Sequence, residues 1–189
     1  MVGDIGQIAR LQVQAMPLKT PGEGYDPGPI VSVERAVVSR DGVLGWDGDR
    51  WVVDAHNATH PDVRGRGNRA LSVGFSGHYE AMAGRFGWAP LGIAGENIII
   101  DGPGLRLDRL GGGLTVRAAA GEVALTGPAV ATPCVEFTSF LKGASAVLPR
   151  TEITDDLAFL DAGTRGYILD VTQLGEPVEI RVGDPVAVI

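Results

Sequence analysis

Residues 114–125 read Leu-Thr-Val-Arg-Ala-Ala-Ala-Gly-Glu-Val-Ala-Leu. Two short runs, 114–117 and 122–125, flank the segment 118–121, which ends in glycine. Strand-like runs separated by a few residues that include glycine are typical of a β-hairpin. The stretch therefore predicts two adjacent antiparallel strands.

Similar short runs recur on both sides of this hairpin. The chain has 28 glycines and 12 prolines among 189 residues, and such a density of turn-forming residues favours many short strands over long helices. One helix is expected to begin at Ser76, which is a suitable N-cap residue, and a second short helix is expected after Cys134. The further predicted strands cover 5–13, 30–39, 69–75, 97–101, 167–171, 178–182 and 186–189.

These elements predict a mainly β fold with a few short helices. Closing the sheet into a β-barrel would remove its exposed edges, so we expect a barrel in which N-terminal strands pair with the closing strands of 167–189. A chain of 189 residues is long enough to bury one sizeable core, and we expect a single domain over residues 1–189.

Charge and hydropathy exclude several classes of protein. The net charge of −7 and the pI of about 4.9 argue against non-specific binding to nucleic acid. We find no run of about 20 apolar residues that would predict a membrane helix, and no signal-peptide pattern at the start. A single cysteine and no export signal are typical of a cytoplasmic protein.

Cys134 is the sole cysteine of the sequence and follows Pro133. It cannot form an intramolecular disulfide, so it is either a buried packing residue or a reactive thiol or metal ligand. Pro133 has a fixed φ and restricts Thr132 to extended conformations. Such a backbone suits a thiol held rigidly at the end of a strand.

Residues 91–98, Leu-Gly-Ile-Ala-Gly-Glu-Asn-Ile, resemble the Gly-x-x-Gly-Glu-Asn signature of the MOSC domain family, which is named for the C-terminal module of molybdenum cofactor sulfurases. Further features resemble that family in the same order and extend the resemblance over about residues 43–189. They are Gly45-Trp-Asp-Gly-Asp-Arg50, Asn68-Arg-Ala-Leu-Ser-Val73 with His78-Tyr79, Pro133-Cys134, and the closing segments Gly166-Tyr-Ile168 and Val182-Gly-Asp-Pro-Val186.

The resemblance implies a MOSC-type β-barrel and a role in molybdenum-cofactor (molybdopterin) chemistry. It implies that Cys134 is the catalytic residue and a molybdenum ligand in the reduction of N-hydroxylated or related small compounds, with electrons from an external donor protein. Two alternatives stay open. Cys134 could carry sulfur as a persulfide without turnover, or the chain could be a barrel binding module that has lost the cofactor, since Ala131 and Thr132 stand where the family often has an arginine.

Candidate cofactor contacts come from the residue types that a phosphorylated pterin needs, which are cations, backbone N–H groups and polar side chains. Segment 64–69 holds three arginines and two glycines. We expect Arg64, Arg66, Asn97, Cys134 and Arg165 to converge on one concave site. His56 and His60 lie four apart without a helical pattern, which does not favour a metal site. The candidate cofactor-binding residues are Arg64, Arg66, Asn68, Arg69, Glu96, Asn97, Thr132 and Arg165.

Overall fold

The computed structural model describes residues 3–61 and 70–189. Four predicted cofactor contacts, Arg64, Arg66, Asn68 and Arg69, lie outside the described residues.

The described elements are short strands with a few helices, as expected. The helices are α1 (Ser76–Phe86), α2 (Val135–Leu141) and α3 (Thr154–Phe159), and α3 continues into a wide turn at Leu160–Thr164. The strands are β1 (Asp4–Gln14), β2 (Lys19–Thr20), β3 (Gly24–Tyr25), β4 (Ile30–Val33), β5 (Arg35–Ser39), β6 (Gly42–Trp46), β7 (Trp51–Val53), β8 (Ala70–Phe75), β9 (Ile98–Asp101), β10 (Gly113–Ala118), β11 (Gly121–Val130), β12 (Tyr167–Asp170), β13 (Val178–Arg181) and β14 (Pro185–Val188).

Seven of the described strands form a closed β-barrel in the order β14-β10-β11-β12-β8-β9-β1, and pairing of β1 with β14 closes the ring. Strand β4 adds to β1, while β13, β5, β6 and β7 form a second sheet. The barrel pairs are antiparallel except for β8 and β9, which are parallel. Helix α1 provides the crossover that a parallel pair requires.

Two groups of apolar side chains hold this fold together. The first joins the barrel strands to the second sheet, with fully buried residues such as Leu11, Val73 and Leu114 from the barrel and Val38 from the second sheet. The second lies outside the barrel wall, where side chains of α1 and α2, including Met82 and Phe137, pack with Ile99 of β9. Apolar side chains on both faces of β9 explain its continuous run of isoleucines.

The predicted strand pairings are confirmed. Pairs β1–β14, β8–β12 and β5–β13 each join an N-terminal strand to the closing region, and the hairpin of β10 and β11 pairs Leu114 with Leu125. No helix among the described residues is long and apolar enough to cross a membrane.

Two local predictions are wrong. The run 30–39 is not one strand, because it leaves the barrel sheet at Glu34: Val33 pairs with Leu11, whereas Arg35 pairs with Trp46 in the second sheet. A run rich in β-branched residues carries no signal for such a change of sheet. Ser76 is not the N-cap of α1, since Phe75 occupies that position without a side-chain hydrogen bond.

Candidate functional site

Cys134 lies directly before helix α2, four residues after the barrel strand β11 ends at Val130. It is the N-cap of α2, with the extended φ and ψ of −114° and 158° that an N-cap requires. Its Sγ accepts a hydrogen bond from the Phe137 N–H at 3.4 Å, and its carbonyl accepts one from the Thr138 hydroxyl at 2.8 Å. The thiol is half-buried, and it lies at the start of α2 rather than at the end of a strand, because β11 ends at Val130.

Cys134 opens on a cavity of about 230 Å³ between the barrel wall, the β2–β3 hairpin and α2. The cavity also contains two of the predicted cofactor contacts, Thr132 and Arg165. The full lining is Gln14, Pro17, Leu18, Lys19, Tyr25, His56, Ser72, Gly95, Ala131, Thr132, Cys134, Phe137, Arg165 and Ile168.

A larger cavity of about 590 Å³ lies beside β1 and β4 and is lined by Arg10, Ser32, Trp46 and other residues. Among the described residues, it includes none of the predicted site residues. We assign the site to the smaller cavity because that cavity combines a thiol, an imidazole and two cationic side chains, the groups that can perform chemistry.

Arg165 is held against the cavity wall by three contacts. Its Nη2 donates to the Ala94 carbonyl at 2.6 Å, and its Nη1 lies 3.3 Å from Oε1 of Glu96. Its guanidinium carbon stacks 4.8 Å from the centre of the Phe137 ring. The side chain keeps 18% of its exposure, so it presents a fixed positive charge to the cavity.

Glu96 lies behind Arg165 and does not line the cavity. Its side chain is 1% exposed, and its carboxylate accepts a hydrogen bond from the Tyr79 hydroxyl as well as the ion pair with Arg165. Burial raises the pKa of Glu96, and the charge of Arg165 partly opposes this effect. A Cβ at Gly74 would lie 3.2 Å from the carboxyl group, so this glycine makes room for it. A Cβ at Gly166 would lie 3.2 Å from the carboxyl group and only 2.6 Å from the Val73 carbonyl oxygen.

Asn97 lies one layer behind the cavity. Its Oδ1 accepts hydrogen bonds from the Ser72 N–H and hydroxyl, both at 3.0 Å. Its Nδ2 donates to the Gln12 carbonyl at 3.3 Å and to Oδ2 of Asp54 at 2.9 Å. Asn97 therefore ties β1, β8 and the turn after β7 together, and its neighbour Ser72 reaches the cavity.

Three titratable side chains of the cavity were not predicted as site residues: Lys19, Tyr25 and His56. Lys19 and Tyr25 belong to a Pro- and Gly-rich loop that forms the small β2–β3 hairpin. The Tyr25 hydroxyl donates to the Ile93 carbonyl at 2.6 Å, and burial raises the pKa of this phenol. The only available signal was the presence of polar residues in a long loop.

Comparison with family models gives a match of residues 60–187 to the MOSC domain. This chain belongs to the MOSC domain family. MOSC proteins are associated with binding of the molybdenum cofactor. The fold is similar to a crystal structure of the YuaD protein from Bacillus subtilis, with a TM-score of 0.56 and 14% sequence identity over 99% of this chain and 97% of that chain. The comparison with curated proteins gives no match.

The side chains that line the cavity suit a metal ion that is already coordinated by an organic group. The described residues contain no group of three or more His, Cys, Asp or Glu side chains that could hold a bare metal ion. Cys134 offers one soft sulfur donor, and Lys19 and Arg165 offer positive charge. A MOSC cavity of this kind suits a metal carried by an anionic organic group better than a free ion.

Proposed function

We propose that this MOSC protein binds the molybdenum cofactor with Cys134 as a metal ligand and reduces N-hydroxylated or related small compounds. The observation that carries the proposal is the fixed Cys134 sulfur in a cavity that also presents Arg165 and Lys19. A thiolate is a soft donor suited to such a metal, and the two cations balance the negative charge of the group.

The remaining contacts follow from the position of the cavity. Thr132 and Arg165 line it directly, whereas Glu96 and Asn97 would act by holding Arg165 and Ser72 in place. Arg64, Arg66, Asn68 and Arg69 precede strand β8, whose Ser72 lines the cavity, and we propose that they contact the anionic part of the cofactor.

The bound cofactor would supply the two-electron redox chemistry. The sequence has one cysteine and therefore cannot hold an iron–sulfur cluster through cysteine ligands alone. Electrons would then come from an external donor protein. The small cavity would admit the reacting end of a substrate.

The test is to produce the protein with cofactor supply and to measure bound molybdenum, pterin and reduction of an N-hydroxylated compound. Cys134→Ser should lose the metal and the activity but keep its melting temperature, because oxygen is a harder donor of nearly the same shape. Arg165→Lys should retain less pterin, whereas Arg106→Lys, a matched change at an 85% exposed side chain, should retain as much as the wild type. Full metal content in Cys134→Ser would refute the assignment.

A sulfur carrier is the second candidate, and the size of the cavity favours it. At about 230 Å³ the cavity lies below the ~300–1,000 Å³ of drug-sized ligand pockets, yet one additional sulfur atom on Cys134 fits easily. A persulfide would add about 32 Da to the peptide that contains Cys134. Protein with neither this mass nor bound molybdenum would instead indicate a binding module without cofactor.

A further inference from the structure

His56 is a titratable side chain of the Cys134 cavity that the function proposed above leaves without a role. It lies in the turn that follows β7, and its side chain is 47% exposed. The other charged or titratable groups that line the cavity are Lys19, Tyr25, Cys134 and Arg165. Half of the ring therefore reaches solvent while the residue also borders the space in which a substrate would react.

A buried carboxylate holds the ring of His56. Oδ1 of Asp54 accepts hydrogen bonds from the His56 backbone N–H at 2.9 Å and from the ring Nδ1 at 3.1 Å. Its Oδ2 accepts from the Gln14 N–H at 2.8 Å and from Nδ2 of Asn97 at 2.9 Å. The side chain of Asp54 is 2% exposed, so this carboxylate is a rigid support.

The protonation state of Asp54 follows from these partners. Burial alone would raise the pKa of Asp54, but the hydrogen bonds and charge of His56 and the Gln14 N–H together hold the pKa below its usual value. An ionised Asp54 keeps a proton on Nδ1 of His56. In the part of the chain that the structure describes, no protein group pairs with the other ring nitrogen, Nε2.

We infer that His56 is the proton donor of the Cys134 cavity, with Asp54 and Asn97 as its positioning residues. The inference rests on the proposed reductase function. It assigns a role to the Asn of the Gly-Glu-Asn segment: Asn97 fixes the carboxylate that orients the histidine. The same geometry of an acid–base imidazole oriented by a buried carboxylate recurs in unrelated enzymes.

A substrate R–NHOH takes up two electrons and two protons and gives R–NH₂ and water. The N–O bond breaks, and Nε2 of the doubly protonated His56 donates one proton to the departing hydroxyl oxygen, which leaves as water. The second proton reaches the nitrogen from solvent, the two electrons come from the external donor protein, and His56 regains its proton through its exposed side.

The kinetic test uses the protein loaded with cofactor, reduced methyl viologen as electron donor and N-phenylhydroxylamine as substrate. His56→Gln should lower kcat by a factor of about 10²–10⁴, the usual contribution of general acid catalysis, with unchanged molybdenum content. Imidazole added to the buffer should restore part of the rate. His78→Gln, the same change at a buried histidine outside the cavity, should keep the wild-type kcat per folded molecule.

A second readout needs no cofactor. In ¹⁵N NMR spectra of the cofactor-free protein, neutral His56 should carry its proton on Nδ1, and Asp54→Asn should shift the population toward the Nε2 tautomer. Asp155→Asn, an exposed aspartate, is the matched control and should leave the His56 signals unchanged. A neutral wild-type ring protonated on Nε2 would overturn the arrangement.

The kinetic outcomes separate the two proposals. A His56→Gln protein with a kcat within about threefold of the wild type overturns the role of His56 alone and leaves the reductase function standing. A wild-type protein that holds molybdenum and reduces no N-phenylhydroxylamine overturns the reductase function, and the proton-transfer step with it.

Discussion

Removal of the positive charge of Arg165 should show how much the buried ion pair with Glu96 contributes to stability. In Arg165→Met, the Glu96 carboxylate is left without its cation at 1% exposure, and the Ala94 carbonyl loses its donor. Breaking a buried pair by removing one partner costs about 3–5 kcal/mol. Since Glu96 can escape part of this cost by binding a proton, we expect a loss of about 3 kcal/mol at neutral pH.

The loss should depend on pH with a definite sign. Burial raises the pKa of Glu96 in the folded protein, so this carboxyl group contributes stability below its unfolded pKa and loses that contribution as pH rises through the folded pKa. Arg165 limits the rise of the pKa, and its removal moves the folded pKa higher. The difference between Arg165→Met and the wild type should therefore be largest at neutral pH and smaller at pH values where Glu96 is protonated in both proteins.

Urea unfolding at several pH values measures this difference, and thermal melts should show a decrease of about 6–12 °C at neutral pH for a protein of this size. Arg106→Met is the matched control, because its ion pair with Asp108 is exposed and should contribute less than about 1 kcal/mol. A double-mutant cycle with Glu96→Gln should show strong coupling. Additive effects, or a loss that does not change with pH, would refute this account of the pair.

Three further changes test other parts of the structure. Gly163→Ala should lower the free energy of unfolding, measured in urea, by about 1–2 kcal/mol more than Gly143→Ala does. Both glycines have positive φ, but only at Gly163 would a Cβ contact the Tyr167 ring. Equal losses would contradict this. Asp156→Ala should lower the free energy of unfolding by about 1 kcal/mol, because Asp156 of α3 pairs with the partly exposed Arg85 and Lys142. In 1 M salt the stability of the wild type should fall toward that of the variant. A difference unaffected by salt would argue against an ionic contribution. Asp54→Asn should remove part of the stability that the wild type loses on acidification. Burial raises the pKa of Asp54, but hydrogen bonds from His56 and Gln14 outweigh burial and lower the pKa, so the carboxylate stabilises the fold above its unfolded pKa and ceases to do so as pH falls through the folded pKa. Identical acid-unfolding curves for the two proteins would exclude this contribution.

The fold could largely be predicted from local patterns. Strand-like runs and glycine-containing turns indicated the β10–β11 hairpin and the closing strands, because each run carries its own hydrophobic pattern. The break at Glu34 could not be predicted in this way, since it depends on Leu11 and Trp46 being available as partners in two different sheets.

The candidate site was predicted only in part, for a similar reason. Cys134 and Arg165 carry chemistry in their residue types, and both line the cavity. His56 did not stand out, because Asp54 orients its ring, and Asp54 is in turn hydrogen-bonded by Asn97, which is 43 positions away in the sequence. A contact of that range leaves no pattern in one sequence that periodicity or spacing can detect.

The closure of the barrel by β1 and β14 has a consequence for how the protein is made. Asp4 pairs with Ala187, so the ring joins residues separated by almost the whole described chain. On the ribosome, β14 emerges after every other barrel strand, and until then residues 4–7 of β1 lack their β14 partner, whereas residues 11–14 already pair with β4. Contacts of such long range form slowly, and an open strand edge is a site of aggregation. Until β14 has been made, this part of β1 therefore stays open to pairing with other chains.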